Sequence, residues 1–380
     1  MAWRPSDELS HAVALEVLLH GPLSRSELAR RLELAPATLT RISTELIDVG
    51  LFIEVPELAE KRMGRPSIPL DVIPSTHHFL GVKLSGDMLM AAVTDLRADL
   101  LRYEEEPLRS NDPGEVARQI AEFERRMRVD GPATAIGIGL GGVVVDARTV
   151  ASAPFLDWHA VPLAELVEAT SGIPTFVAND LTAFTESQHW FGVGRGHDNF
   201  AVLTVGVGVG YGCVANGRLL ANDDSGVGLV GHWPLDPFGP LCAKGHRGCA
   251  EGLLAIPSIE RDVSMALGRP VAFEEALDLA AAGEPAAREI LDASGRGLGR
   301  LVAAVANLTA PDMVVIGGEG VRLAEVAAVS VHDGIRADRD PRASEVVVEL
   351  VSGGNDSWCR GAAVIAIQHY VLDRRRSRRS

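Results

Sequence analysis

The segment Ser225–Glu251, SGVGLVGHWPLDPFGPLCAKGHRGCAE, decides how the rest of the chain is read. It carries two of the four cysteines, Cys242 and Cys249, and His232 lies ten positions before the first of them. Thiolate and imidazole are the donors a tetrahedral zinc ion prefers, and loops of this length can wrap three of them round one ion. Lys244, between the cysteines, cannot ligate while protonated, whereas His246 is near enough in sequence to substitute as a fourth donor. The plainer alternative is a buried histidine beside two reduced thiols that pack as small hydrophobes. Cys213 and Cys359 read as ordinary buried thiols.

Outward from this segment, 380 residues suggest two or three domains with ample length for a core. Hydrophobic residues at 47% and charged residues at 23% match globular usage and exclude a disordered or fibrous chain. A net charge of −15 argues against an extended basic surface coating nucleic acid. It leaves room for a small DNA-binding module, since phosphate contacts need only local positive charge. Four cysteines in so long a chain do not make a disulfide framework. Neither a basic-then-apolar leader nor a run of about 18 apolar residues appears, so the expected setting is the reducing cytoplasm, with no membrane partner.

The first 75 residues have a pattern of their own. An apolar-periodic helix over Ser10–Leu19 meets the Gly21-Pro22 break, and Ser24 or Ser26 caps a second helix through Leu32. Pro36 suits the first position of a third helix, which runs to about Asp48 and stops at Gly50. Leu28, Leu32, Leu39, Ile42, Leu46 and Ile47 share one buried face, leaving Ala37, Thr38, Thr40 and Arg41 exposed. Two short helices joined by a tight turn make a helix-turn-helix whose second helix can enter the major groove, where Thr38, Thr40 and Arg41 reach bases or phosphates. Strands at 51–55 and about 68–72 then flank a basic wing tip holding Lys61, Arg62 and Arg65, and Gly-Arg-Pro keeps Arg65 extended for minor-groove insertion. The competing reading is a small helical protein-interaction domain with one basic loop. The RRRSRR run at 374–379 either adds nonspecific phosphate contacts or is a solvated end.

The remaining 300 residues or so interleave strands, helices and glycine turns, which argues for an α/β architecture. Strand-and-glycine units read at Phe79–Val93, Thr134–Val145, Phe200–Val214 and Met313–Gly318, with helices at 113–128, 162–171, 179–190, 272–282 and 284–307. Glycine turns after strands let backbone N–H groups approach phosphate, but none of these runs is specific by itself.

The order of those units, together with the Asn179-Asp180 turn and the Gly231-His232 and Gly248-Cys249-Ala250-Glu251 pairs of motifs, resembles the ROK family of sugar kinases and sugar-responsive repressors. The resemblance covers essentially the whole chain, with the winged helix-turn-helix placed as in the family's repressors. It implies a winged helix-turn-helix over residues 1–75 and a first actin-like (ribonuclease H-like) α/β lobe over 76–187 plus a last helix at 358–373. A second lobe over 188–357, with the zinc-motif segment and oligomer contacts, and a basic tail over 374–380 complete the chain. It also implies sugar in the cleft between the lobes, touched by Gly142, Asn179, Asp180, His232 and Glu251, with Asp180 at the kinases' general-base position. Zinc on His232, Cys242 and Cys249 follows from the same resemblance, with Lys244 in place of a cysteine.

Departures from the family pattern carry equal weight. Where the kinases read Asp-x-Gly-Gly-Thr, with the aspartate organising metal-bound phosphates, this chain reads Lys83-Leu84-Ser85-Gly86-Asp87. Lysine can pair with phosphate but cannot hold Mg²⁺. The second phosphate loop reads Gly206-Val207-Gly208-Val209-Gly210 and lacks a hydroxyl donor, while the Gly317-Gly318 turn persists. Leu229 stands where a glutamate would accept sugar hydroxyls, which points to a less hydroxylated or larger ligand, or to a vestigial pocket. The expectation is therefore a transcriptional repressor with no ATP, no magnesium and no catalytic residue. Its partners would be operator DNA and a sugar or sugar-derived effector, in a homodimer or homotetramer. The rivals are an active sugar kinase bearing an extra domain and a ligand-independent DNA-binding protein.

Overall fold

The computed structural model describes residues 7–56, 68–222 and 224–372. Three helices open it: α1 (Glu8–His20), α2 (Arg25–Arg31) and α3 (Pro36–Asp48). Asp7 caps the first by accepting the Ser10 N–H at 2.7 Å, and Ser24 caps the second by accepting that of Glu27 at 3.1 Å. Pro36 opens α3, where its missing N–H would have had no helical partner, and Gly50 leaves the helix at φ 73°. Leu28, Leu39, Ile42 and Leu46 are buried against Val13, Val17 and Leu18 of α1, whereas Leu32 and Ile47, expected on the same face, are half-buried. Strands β1 (Phe52–Glu54) and β2 (Leu70–Val72) pair antiparallel and are shorter than expected. Phe52, Leu70 and Val72 are buried with the helices, while Ile53 and Ile68 are exposed.

A first five-stranded sheet follows. Strands β3 (Phe79–Leu84), β4 (Met88–Thr94) and β5 (Leu100–Pro107) form an antiparallel meander, after which α4 (Pro113–Met127) leads to β6 (Ala135–Leu140), parallel to β3. The unit expected over Thr134–Val145 divides at Gly141-Gly142. Beyond it, β7 (Val143–Val145), β8 (Thr149–Ala153) and β9 (Trp158–Val161) form a separate small sheet. Helix α5 (Leu163–Ser171) then leads to β10 (Thr175–Asn179), parallel to β6, and α6 (Asp180–Phe191). Nearly every residue of β3, β6 and β10 is buried, as strands covered on both faces require.

The second five-stranded sheet has the order β13-β12-β11-β14-β15. It contains the hairpin β11 (Phe200–Val205) and β12 (Val209–Ala215), edge strand β13 (Arg218–Leu219), and, after the Ser225–Glu251 segment, helices α7 (Ala250–Leu254), α8 (Ile256–Leu267), α9 (Phe273–Ala281) and α10 (Pro285–Thr309). Strand β14 (Met313–Gly317), helices α11 (Arg322–Val326) and α12 (Ala328–Asp338), and β15 (Val348–Leu350) complete it. The closing helix, α13 (Asn355–Val371), begins three residues before the expected Trp358 and packs on the first sheet. A methyl group on Gly81 or Gly137 would run into the Cys359 or Ala362 carbonyl, so these glycines let the helix backbone rest directly on β3 and β6. The chain thus passes between the two sheets twice, over 192–199 and 351–354.

The N-terminal unit is tied to this body. Arg97, in the β4–β5 turn, pairs with the Asp71 carboxylate in β2 and donates to the Val17 carbonyl at 3.0 Å, while Leu96 and Ala98 are buried in the same cluster as α1 and α3. Among the described residues no helix is long and apolar enough to cross a membrane.

Candidate ligand cleft and metal centre

Asn179 ends β10 and caps α6, its Oδ1 accepting the Thr182 N–H at 3.2 Å. Capping therefore falls to Asn179, not Asp180, whose carboxylate is left at the first helical position. The Asn179 amide donates to the Gly142 carbonyl at 3.0 Å, which fixes the Gly141-Gly142 turn at the mouth of the cleft. Gly226, at φ 96°, lies against the same carbonyl and the Asn179 amide, so only glycine lets the Ser225–Glu251 segment come so close.

Lys83 and Asp180 meet directly in an ion pair, with side chains only 12% and 20% exposed. The Lys83 ammonium also sits 4.7 Å from the centre of the Trp358 ring, a cation–π contact across to α13. The position that would organise a metal thus carries a cation bonded to the position that would take a proton. On the second sheet the Glu319 carboxylate lies against Gly206, in the turn that would cradle phosphate, and Val207 projects from that turn largely exposed. Sequence reasoning named Lys83 and Asp180 but not their contact, and it missed Glu319. One residue it passed over is Phe155, 64% exposed: a methyl group on Gly141 would meet its ring at 3.7 Å and the Asp180 carboxylate at 3.8 Å. A large aromatic directly after Pro154 was the available signal.

The metal-motif segment folds into a tight loop. His232 closes a short 3-10 turn (Leu229–His232), and isolated bridges join Pro234 to Cys249 and Leu241 to Arg247. The His232 Nδ1 atom is 3.9 Å from the Cys242 Sγ and 3.8 Å from the Cys249 Sγ, and the His246 Nδ1 atom is 3.6 Å from the Cys242 Sγ. Donor atoms of His232, Cys242 and His246 all lie within 4.8 Å of one another, close enough to converge on one metal ion, while Cys249, which meets His232, stands outside that group. Burial pushes the Cys242 thiol up, but backbone N–H groups of His246 and Lys244 outweigh it and leave it below its ordinary value, which favours the ligating thiolate. Cys249 stays above its ordinary value, chiefly through burial. The other ring nitrogen of His232 faces Glu251 at 3.6 Å, the arrangement by which a carboxylate orients a ligating imidazole. Leu229 is 68% exposed and points no acceptor anywhere. Gly142, Asn179 and Asp180 therefore form one group and His232, Glu251, Cys242, Cys249 and His246 another, with Gly226 as the link.

On the N-terminal unit, Ala37, Thr40 and Arg41 are exposed on α3, while Thr38 is half-buried, against expectation. The Thr40 hydroxyl donates to the Pro36 carbonyl at 2.8 Å, and Arg41 lies 3.6 Å from Glu45, a loose pair that leaves its guanidinium available. Lys61, Arg62, Arg65 and the 374–379 run lie outside the described residues.

Comparison with known proteins gives these features a setting. The ROK family pattern matches residues 79–369. The DNA-binding transcriptional repressor Mlc of Escherichia coli K12 is 28% identical over 362 residues, covering 91% of this chain and 89% of its own length. A crystal structure of a ROK family transcriptional regulator, a homologue of the E. coli protein, aligns over 97% of this chain and 98% of that one, with a TM-score of 0.78 and 28% identity. The glucokinase of Thermotoga maritima is 31% identical but covers 65% of this chain. The regulators match nearly the whole chain, and the kinase matches a shorter part. The chain belongs to the ROK family and is a homologue of its transcriptional regulators.

Proposed function

We propose that this protein is a sugar-responsive transcriptional repressor whose kinase-like body senses its effector without phosphorylating it. The observation that carries this reading is the Lys83–Asp180 pair. Phosphoryl transfer needs a metal to neutralise phosphate charge and a free carboxylate to accept the hydroxyl proton. Here a cation unable to hold Mg²⁺ engages that carboxylate, and Glu319 adds negative charge beside the phosphate loop. Gly142, Asn179, Asp180, His232 and Glu251 remain as donors and acceptors for a sugar or sugar-derived metabolite. Leu229 narrows the choice to a ligand that does not need a carboxylate there.

The domain division supports the same reading: a DNA-reading head over 1–75, two lobes, and α13 returning to the first. Effector binding alters operator affinity only if it favours one lobe spacing over another, and the Arg97–Asp71 link gives the head a rigid connection to the first lobe. A two-fold homodimer, or a tetramer built from it, would present two heads to two half-sites. His232, Cys242, Cys249 and His246 would hold a structural zinc, which would cross-link the loop that carries His232 and Glu251. Four free cysteines suit a reducing cytoplasm.

A coupled ATP-consumption assay across hexoses and amino sugars tests the catalytic side of this reading. No turnover above background is expected. Measurable turnover that Asp180→Asn abolishes would establish the kinase instead.

A further inference from the structure

The two passages between the sheets lie side by side, and a cavity of about 420 Å³ opens between them. Gly192 and Val193 of the first passage and Val351 and Ser352 of the second line it, with Gln188 and Phe191 of α6 and Ser357 and Arg360 of α13. Any change in lobe spacing must bend these two passages, which makes them the natural hinge, and Asp180 is not among the residues lining the cavity.

Arg360 sets its chemistry. Its Nε–H donates to the Ala98 carbonyl at 2.7 Å and its Nη2–H to the Phe191 carbonyl at 3.2 Å. Those are two of the five N–H donors a guanidinium carries. Lys83, Arg97 and Arg148 each touch a carboxylate. Arg360 touches none within ion-pair distance among the described residues; Asp99 and Asp95 act on it only at longer range, from the Ala98 side. Burial pushes its pKa down from the ordinary arginine value, the sign of a charge that lacks full compensation. Gln188, buried, and Ser352 and Ser357 add polar groups to the same wall.

We propose that this hinge cavity binds a small oxyanion, held by the Arg360 guanidinium with the hydroxyls of Ser352 and Ser357. Arginine presents paired N–H donors that match the oxygens of phosphate or carboxylate. The volume falls within the range of about 300–1,000 Å³ usual for small-molecule sites. Because both passages form its walls, an occupant contacts the segments that must bend when the lobes close. Arg360 also grips Ala98, the neighbour of Arg97, which holds the N-terminal unit through Asp71 and Val17. Occupancy of the hinge therefore bears on both lobe spacing and head position. Binding stands independently of the repressor reading, while its effect on DNA rests on that reading.

Titration calorimetry of inorganic phosphate into the full-length chain, at fixed ionic strength with chloride as control anion, tests the site. Saturable binding to phosphate alone is expected, weakened roughly ten- to a hundredfold by Arg360→Gln and by Ser352→Asp. Ser352 is exposed, so its variant remains informative if Arg360→Gln fails to fold. No saturable binding, or binding unchanged in Ser352→Asp, would overturn the proposal. Repeating an operator-binding assay with and without phosphate tests the coupling: an affinity shift in the parent chain but not in Ser352→Asp supports it, and saturable binding with no shift refutes it. Failure to bind any operator would overturn the repressor reading and leave the calorimetric result standing.

Discussion

Lysine replaces a family residue at two places, and the two replacements act in opposite ways. Lys244 stands for a zinc-ligating cysteine on an exposed loop, where its ammonium can stay in water. His246 lies two residues on, and its Nδ1 comes within 3.6 Å of the Cys242 Sγ, near enough to serve as a replacement donor. Lys83 stands for a metal-organising aspartate at the floor of a cleft, where a charge needs a counter-charge. It takes Asp180, the residue at the kinases' general-base position, as its partner. A lost donor on a tight, exposed loop can be replaced by a neighbour. A reversed charge in a half-buried cleft has to find its counter-charge within the cleft.

The largest expected effect breaks the first half of that contrast. On the proposed zinc site, Cys242→Ser or His246→Ala should abolish metal binding and lower stability by at least about 3 kcal/mol, since a structural zinc would tie its loop to the fold. Lys244→Ala should retain the metal. Elemental analysis with thermal unfolding reads both, and zinc retained in His246→Ala would remove the histidine from the ligand set.

Asp180→Asn addresses the second half. It leaves the Lys83 ammonium half-buried and unpaired, with an expected loss of about 1–3 kcal/mol in urea unfolding. Adding Lys83→Met should restore most of it, because replacing both partners removes the stranded charge. If Asp180→Asn is neutral while sugar binding is intact, the pair is not what holds the cleft.

Much of this was legible in the sequence, and the limits have physical causes. Pro36, Gly50 and the leucine periodicity placed the N-terminal helices because caps and apolar spacing are local signals. The buried strands showed as apolar runs for the same reason. By contrast, β8 and β9 are short and half-exposed, so they left no clear run, and the division at Gly141-Gly142 depends on a hydrogen bond from Asn179, 37 positions away. The cap on α6 had no unique sequence signal, because Asn and Asp are both good caps and only the backbone distinguishes Asn179 from Asp180. The candidate metal donors and Asn179-Asp180 could be named from motifs. The Lys83–Asp180 contact joins residues 97 apart and has no local signature, nor does Glu319 against Gly206.

A smaller effect concerns the link between head and body. Asp71→Ala removes the partner of Arg97 and should cost about 1–2 kcal/mol, while changing operator affinity more than sugar affinity. Equal changes in both would show that the link is merely structural. Smallest of all, Arg65→Ala should weaken operator binding and reduce the salt slope by about one. An unchanged slope would remove Arg65 from the phosphate or groove contacts.

The most direct test of the account is selection of genomic fragments by the purified full-length chain, followed by titration of the enriched duplex against random sequence. A sensor built on a disarmed kinase should hold the enriched duplex at least about a thousandfold more tightly than random DNA at physiological salt, and a sugar or sugar derivative should shift that affinity. Equal affinity for both duplexes, with no response to any sugar, would contradict it.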